Sequence, residues 1–150
     1  MMKRLLLLVC GTLIAACSPS APQLKVSTYH LRESLFSEND DPMVRGEAQR
    51  LLHGSVSQRQ RRAKIGDYYE FHWQDPLQRA VDLRFDYLQA GTGSQVQTRR
   101  VHLPMPHRSL RHSMAITGAD YQKGGRILAW KASVERDGTT LASQQSYLWK

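Results

Sequence analysis

Six histidines carry the clearest potential for metal chemistry in this chain, and their spacing decides whether they can use it. They are His30, His53, His72, His102, His107 and His112. A metal site needs two or three imidazoles that converge with a carboxylate or a water molecule. The last three are five residues apart, a spacing that matches neither one face of a strand nor one face of a helix. His102 and His112 can meet only if their strands are neighbours, so we expect no metal site.

Catalysis by a nucleophile or by paired acids needs other residue patterns, and the sequence lacks them. It has no Gly-x-Ser-x-Gly elbow and no paired acid motif. Residues 91–93 (Gly-Thr-Gly) lack the third glycine and the helix of a dinucleotide fingerprint, so they predict a turn. Asp82 and Asp86 alternate with apolar residues, which predicts that both face water. We therefore expect no enzymatic activity and no cofactor, with a small periplasmic enzyme as one alternative.

The two cysteines, Cys10 and Cys17, lie in an N-terminal segment of distinct character. Lys3 and Arg4 precede an apolar run over residues 5–14. The run is about half the length of roughly 20 residues that a transmembrane helix needs, and small residues follow it. This pattern predicts a signal peptide over residues 1–16. The mature chain then keeps only Cys17, which leaves neither a disulfide nor a thiolate metal site.

The sequence Leu-Ile-Ala-Ala-Cys at residues 13–17 resembles the lipobox of bacterial lipoproteins. The resemblance implies a diacylglyceryl group on the Cys17 thiol, cleavage before Cys17 by type II signal peptidase, and acylation of the new amine. Two or three acyl chains anchor a protein stably, whereas one is marginal. The residue after the cysteine is Ser18 rather than Asp, which resembles this position in lipoproteins sorted to the outer membrane. The alternative is an ordinary secretory signal peptide, cut near Ala16, that leaves a free thiol.

The mature chain divides into a short tether and one domain. Residues 17–23 are rich in Pro and Ser and predict a lipidated tether, and the six residues 18–23 reach at most about 20 Å. Residues 24–150 predict a single domain, because their length suits one core. The composition, 41% hydrophobic and 23% charged, is ordinary for a globular protein. We therefore expect the domain to lie close to its membrane.

Residues 42–65 predict a helical hairpin that follows a first strand over residues 24–33. Asp41 and Pro42 are a favoured start for a helix, and Ser57 with Gln60 resembles a capping box for a second one. The apolar stripe of the first helix consists of Val44, Ala48, Leu51 and Leu52. Gly54 and Gly66 end the two helices.

The chain after Asp67 reads as β structure. Apolar and polar residues alternate strictly over residues 81–87, and Asp137-Gly138 is a preferred type I′ turn. A two-residue loop there pairs Val134 with Leu141, Ala132 with Ser143, Trp130 with Gln145 and Leu128 with Tyr147. Six or seven strands with turns every 8–12 residues predict an antiparallel immunoglobulin-like β-sandwich. It resembles an immunoglobulin or fibronectin type III sandwich with the helical hairpin inserted.

Basic residues cluster on the predicted hairpin. They are Arg45, Arg50, Arg59, Arg61, Arg62 and Lys64, with Glu47 as the opposing acid. Loss of residues 1–16 leaves 19 basic against 13 acidic side chains, a formal charge of +6. The functional interpretation is contact with lipid headgroups, an acidic envelope polymer or an acidic protein. The alternative is a solvated helix face whose arginine stems cover apolar surface.

A second basic group consists of Arg99, Arg100, Arg108 and Arg111. Charge alone does not indicate nucleic acid, and no nucleic-acid-binding motif is present. Residues 43–47, 124–131 and 145–149 are similar to segments of short uncharacterised bacterial lipoproteins. We expect a lipid-anchored, non-enzymatic envelope protein, on the outer membrane facing the periplasm, that binds a protein or polymer and no small-molecule substrate. The alternative is an accessory subunit of an envelope or secretion assembly.

Overall fold

A computed structural model describes residues 21–32, 41–104 and 107–150. Within these ranges the chain forms seven strands and three helices, and it is mainly β as predicted. The predicted signal peptide, Cys17 and most of the tether lie outside the described residues.

The elements follow one another with the two predicted helices between the first two strands. The strands are β1 (Gln23–Leu31), β2 (Gly66–Gln74), β3 (Val81–Gln89), β4 (Gln97–Leu103), β5 (Ser109–Thr117), β6 (Ile127–Arg136) and β7 (Thr139–Gln145). The helices are α1 (Pro42–Leu52), α2 (Gln58–Lys64) and α3 (Gly118–Gly124). The sequence did not predict α3, because a seven-residue helix with glycine at both ends carries no apolar stripe and a poor propensity.

Two antiparallel sheets enclose the core. One has the order β1-β2-β5 and the other the order β4-β3-β6-β7. Their inner faces meet through aromatic rings: the centroids of Tyr69 and Phe85 are 4.7 Å apart, and those of Phe71 and Phe85 are 5.4 Å apart. The fold is therefore confirmed at the level of two antiparallel sheets with a few helices.

Alternation along the strands decides which side chains enter that core. In β2, Tyr69 and Phe71 are buried, whereas Glu70 between them is exposed. In β3 the predicted alternation is present. The expectation that Asp86 faces water is wrong, because Asp86 is only 5% exposed. Arg84 Nε lies 2.9 Å from Asp86 Oδ2, and the Thr98 hydroxyl donates to Asp86 Oδ1 at 2.6 Å. These two neighbours cover a carboxylate that does point away from the core.

The last hairpin confirms the predicted turn but not the whole register. Asp137 and Gly138 both have positive φ, 50° and 76°, as a type I′ turn requires. The pairing of Glu135 with Thr140 agrees with a two-residue loop, but an irregularity then shifts Val134 opposite Ala142. An extra residue in β7 moves every later pair by one. The predicted pairs therefore fail from Leu141 onward, and Tyr147 lies beyond the end of β7 and is 96% exposed.

The register of β1 separates the two ends of the molecule. Gln23 pairs with Gln74 at one end, which we call the tether end, and Leu31 pairs with Gly66 at the other, the hairpin end. Eight residue steps along a strand span about 26 Å. The tether end also carries the β2–β3 loop and the β6–β7 turn, whereas α1, α2 and α3 connect strands at the hairpin end. A Cβ atom at Gly66 would collide with the Ile116 carbonyl, so only glycine allows this approach at the hairpin end.

A buried ion pair fastens the β2–β3 loop at the tether end. Asp75 is fully buried and accepts a hydrogen bond from Arg136, which also donates to the carbonyl of Arg79 at 3.1 Å. The second carboxylate oxygen of Asp75 accepts the Leu77 N–H at 2.9 Å. Burial alone would raise the pKa of Asp75, but these hydrogen bonds, with Arg136 foremost, lower it below its ordinary value.

Replacing Asp75 by Asn tests this pair. Breaking a buried ion pair by removing one partner costs several kcal/mol, so we expect the free energy of unfolding at neutral pH to fall by about 3 kcal/mol. Because the pKa of Asp75 is lowered in the folded state, its stabilisation is present above the unfolded pKa and is lost as pH falls through the folded pKa. Urea unfolding at several pH values should show the gap between wild type and D75N closing below about pH 4.

The matched control is Asp82→Asn. Asp82 lies 2.8 Å from His102, but its side chain is 58% exposed, so its pair should contribute less than about 1 kcal/mol. Two results would contradict the structural role assigned to Asp75. One is an equal loss of unfolding free energy in D75N and D82N. The other is a difference between wild type and D75N that does not change with pH.

Candidate functional site

A groove of about 560 Å³ lies between α1 and the outer face of the three-stranded sheet. Its floor is a row of three residues that stand opposite one another on adjacent strands: Ser27, Glu70 and Ser113. Residues of α1 line it on the helix side, among them Glu47 and Arg50. Two serines that flank Glu70 on the floor and a helix at one side make a surface that an extended segment can enter.

Of the two carboxylates in the groove, one is paired with an arginine and the other is not. Arg50 donates from Nε to Glu47 at 2.9 Å, and this hydrogen bond lowers the pKa of Glu47 against the opposing effect of burial. Glu70 is exposed and forms no ion pair within the described ranges, although Arg50 is near enough to interact with it electrostatically. The groove therefore offers one carboxylate with spare hydrogen-bonding capacity and one arginine whose side chain is 69% exposed.

Two tyrosines fasten the hairpin to the sheet beside this groove. The Tyr29 hydroxyl donates to the Val44 carbonyl of α1 at 3.0 Å, and the Tyr68 hydroxyl donates to the carbonyl of Lys64 at the end of α2. Burial raises the pKa of Tyr68, so the hydroxyl stays protonated as a donor at neutral pH. Both rings also pack against the small second core of Leu31, Ala48 and Leu52.

The structure keeps the six predicted cations of the hairpin on its two helices. Arg45 and Arg50 belong to α1, and the other four to α2, which buries no residue. Lys64 Nζ donates to the His53 carbonyl at 2.9 Å, so that cation is partly used in joining the helices. Arg61, Arg62 and Lys64 also suit the negative end of the α2 dipole. Arg59 forms no ion pair within the described part of the chain, and its charge remains available.

A second polar cluster closes the core at the hairpin end. Asp67 is 7% exposed; one of its oxygens lies 2.7 Å from His30 Nδ1 and the other accepts the Ile127 N–H at 2.7 Å. His30 Nε2 faces the Tyr121 hydroxyl at 3.5 Å. Burial raises the pKa of Tyr121, which opposes its use as a phenolate nucleophile. The carboxylate fixes the imidazole and satisfies a buried N–H, which is a structural role.

The other histidines are not brought together. His102 lies on β4 and bonds Asp82, whereas His112 lies on β5 in the other sheet. Across residues 21–32, 41–104 and 107–150, no three His, Cys, Asp or Glu side chains form a group that could hold a metal ion. The same ranges contain no helix long and apolar enough to cross a membrane.

The structure divides the second basic group. Arg99 donates to Asp120 at 2.8 Å and to the Ala115 carbonyl, so it joins β4 to α3 and β5. Arg111, by contrast, lies on β5 opposite His72, which is opposite Lys25 on β1. Sequence reasoning missed this row because its members are far apart in the chain and only the strand register unites them. Alternation along β2, which places His72 next to the buried Trp73 in the chain, is the local signal that could have shown His72 facing outward.

Tyr68→Phe tests whether the hydroxyl holds the hairpin against the sheet. The ring stays in place while one part-buried hydrogen bond is lost, so we expect a loss of about 1 kcal/mol in stability. Amide hydrogen exchange in α2 should become faster, since α2 buries no side chain of its own. Tyr147→Phe is the control, because that residue is 96% exposed. Unchanged exchange in α2 would show that the hydroxyl does not fasten it.

No family model matches the chain, and no curated protein matches it. Among solved structures, a crystal structure from Akkermansia muciniphila is similar at 14% identity, with a TM-score of 0.38. The likeness covers 86% of this chain and 73% of that one. Similarity at this level carries no argument about the fold or the function.

Proposed function

We propose that this chain is a lipid-anchored, non-enzymatic protein of the cell envelope that binds a protein or polymer partner. One observation carries the proposal: the tether end and the hairpin end lie on opposite ends of β1. A lipid on Cys17 would hold the tether end at the membrane. The groove and the cations of α1 and α2 would then point away from the bilayer, where a partner can reach them.

The length of the tether supports this arrangement. Four residue steps separate Cys17 from Ala21, the first described residue, and they span at most about 14 Å. The hairpin end lies about 26 Å further along β1. In an upright domain the hairpin would therefore stand well beyond the Debye length of about 8 Å, within which headgroup charge acts. The six hairpin cations are better suited to an acidic partner than to the anchor membrane itself.

The polar groups of the described residues support a binding role over a catalytic one. The groove holds Glu70 between Ser27 and Ser113, but within the described residues no hydrogen bond joins this carboxylate to either hydroxyl, and no histidine lines the groove. His30 and Asp67 form a dyad, but Tyr121 covers the outer nitrogen and none of the three lines the groove. Catalysis needs a base within hydrogen-bond reach of a bound reactant.

We also propose that the two sheets form a sandwich of the immunoglobulin or fibronectin type III class. The first, second and fifth strands share one sheet, and the third, sixth and seventh share the other, as in constant-type immunoglobulin domains. The fourth strand pairs with the third, which is the position of an added strand in variable-type domains. Fold class alone assigns no function, so this supports only the architecture.

Replacing Cys17 by Ser tests the anchor. We expect the precursor to keep its first 16 residues and to incorporate no labelled fatty acid, because the thiol that carries the glyceride is gone. Intact mass and fatty-acid labelling of the membrane fraction measure both effects. Cys10→Ser is the matched control and should be processed normally. A C17S product that is still cut and still lipidated would refute the anchor.

Site-specific cross-linking in intact envelopes tests the binding surface. A photoreactive residue at Val56, which is 89% exposed between α1 and α2, should give a discrete cross-linked species. The same group at Leu128, 48% exposed on β6, should not. The charge reversal Arg45→Glu with Arg59→Glu should remove the Val56 product, because an acidic partner would be repelled.

The matched reversal is Arg100→Glu with Lys131→Glu, which changes the same charge on the four-stranded sheet. Retention of the Val56 product there and its loss in the hairpin variant would support the assignment. Cross-linking from Leu128 alone, or insensitivity to both reversals, would assign binding to another surface.

A further inference from the structure

We infer that the tether end docks on anionic phospholipid headgroups of the membrane that holds the Cys17 lipid, through a surface made of the cations Lys25, Arg108 and Arg111 together with His72. The inference rests on the proposed lipid anchor and deepens it. It assigns the anchor membrane a second contact, made by the folded domain itself and distinct from the hairpin cations.

Strand register brings this surface together. Lys25 on β1 pairs with His72 on β2, and His72 pairs with Arg111 on β5, all on the outer face of one sheet. Directly opposite side chains on adjacent strands have Cβ atoms about 5 Å apart, so Lys25 and Arg111 flank His72 and lie about 10 Å from each other. His72 Nε2 lies 2.7 Å from the Ser109 hydroxyl, so the imidazole is held within this surface. Lys25, Arg108 and Arg111 form no ion pair within the described ranges.

The neighbouring rows do not neutralise the surface. Gln23, Gln74 and Ser109 form the next row toward the tether and carry no charge. On the other side, Glu70 is the one carboxylate of its row, between two serines. Asp75, which lies next to Gln74 in the chain, is fully buried and already paired with Arg136. The charge presented at this end of the three-stranded sheet is therefore positive.

The position of the surface favours a lipid headgroup as its ligand. A shallow cavity of about 230 Å³ lies beside this surface, lined by Ala21, Gln74, Asp75, Pro76, Arg108 and Ser109. Its one acid, Asp75, is fully buried and bonded to Arg136. Ala21 is at most about 14 Å along the chain from Cys17. A phosphate of a headgroup can accept from the Arg108 guanidinium there. Leu77, 61% exposed on the adjacent β2–β3 loop, offers an apolar side chain to the same interface. A soluble anion would gain nothing from this proximity, whereas a headgroup shares the anchor's own membrane.

Apart from the buried Asp75, the acidic residues of the tether end lie on the other sheet and give the docking a direction. Asp82 and Glu135 stand opposite each other on β3 and β6, and Asp137 is in the turn that follows β6. We expect the tether end of the sheet formed by β1, β2 and β5 to approach the headgroups and the β6–β7 turn to stay farther away. The hairpin end remains remote by the length of β1.

Fluorescence quenching on the lipidated mature protein in vesicles tests the inference. A fluorophore goes on Leu77→Cys at the tether end or on Val56→Cys at the hairpin end, and the quencher is a headgroup-spin-labelled lipid. We expect quenching of the Leu77 label to be roughly twofold stronger in phosphatidylglycerol–phosphatidylcholine vesicles than in phosphatidylcholine alone, and to weaken in high salt. The Val56 label should be insensitive to lipid charge.

Two pairs of charge variants test whether the phosphatidylglycerol effect comes from this surface or from the net charge of the protein. Lys25→Gln with Arg111→Gln should abolish the phosphatidylglycerol effect, whereas Arg45→Gln with Arg59→Gln, which removes the same charge from the hairpin, should leave it intact. Equal quenching in both vesicle types, equal effects of the two variants, or strong quenching of the Val56 label would overturn the inference.

The two proposals fail in different ways. If Cys17 carries no lipid, the protein does not enter the vesicles and the Cys17 thiol itself reacts with the fluorophore, so the anchor is refuted. If the protein is vesicle-bound, carries label only at the introduced cysteine and ignores phosphatidylglycerol, the anchor stands and the headgroup contact is refuted.

Discussion

Nine residue pairs join β1 to β2, from Gln23 opposite Gln74 to Leu31 opposite Gly66. This ladder fixes where the chain enters the domain and where it leaves for α1. Since a strand cannot fold back on itself, the two points are separated by the full length of β1. Because of that separation, a lipid on Cys17 would hold one end of the domain at the membrane and leave the other end away from it. A ladder shifted by one residue would also turn Val26 out of the core and Lys25 into it.

Each end of the sandwich is closed by a buried carboxylate with a basic partner. Asp67 holds His30 and the Ile127 N–H at the hairpin end, and Asp75 holds Arg136 and the Leu77 N–H at the tether end. A buried charge is tolerated only when its hydrogen bonds are satisfied, so each pair constrains the loop beside it. These contacts stabilise the ends that the anchor and the partner would use. Of these groups, only His30 is among the histidines considered for a metal site, and it has a structural role here.

The sequence predicted much of the fold and little of the site. The alternation of apolar and polar residues predicted β3, and Asp137-Gly138 predicted the last turn. Capping residues predicted α1 and α2. These predictions succeeded because each signal is local. The bulge near Leu141 and the burial of Asp86 were not predictable, since both depend on what the neighbouring strand presents. The groove and the row of Lys25, His72 and Arg111 depend on register between distant segments. No composition or spacing rule supplies that register.

The lipid on Cys17 is the central claim, because without it the two ends of the domain have no orientation relative to a membrane. The most direct measurement is the mass spectrum of the N-terminal peptide of the mature protein, purified from its own membrane. The account predicts a peptide that starts at Cys17 and carries a thioether-linked diacylglycerol, with or without an amide-linked acyl chain. An unmodified peptide, or one that starts at any other residue, would contradict it.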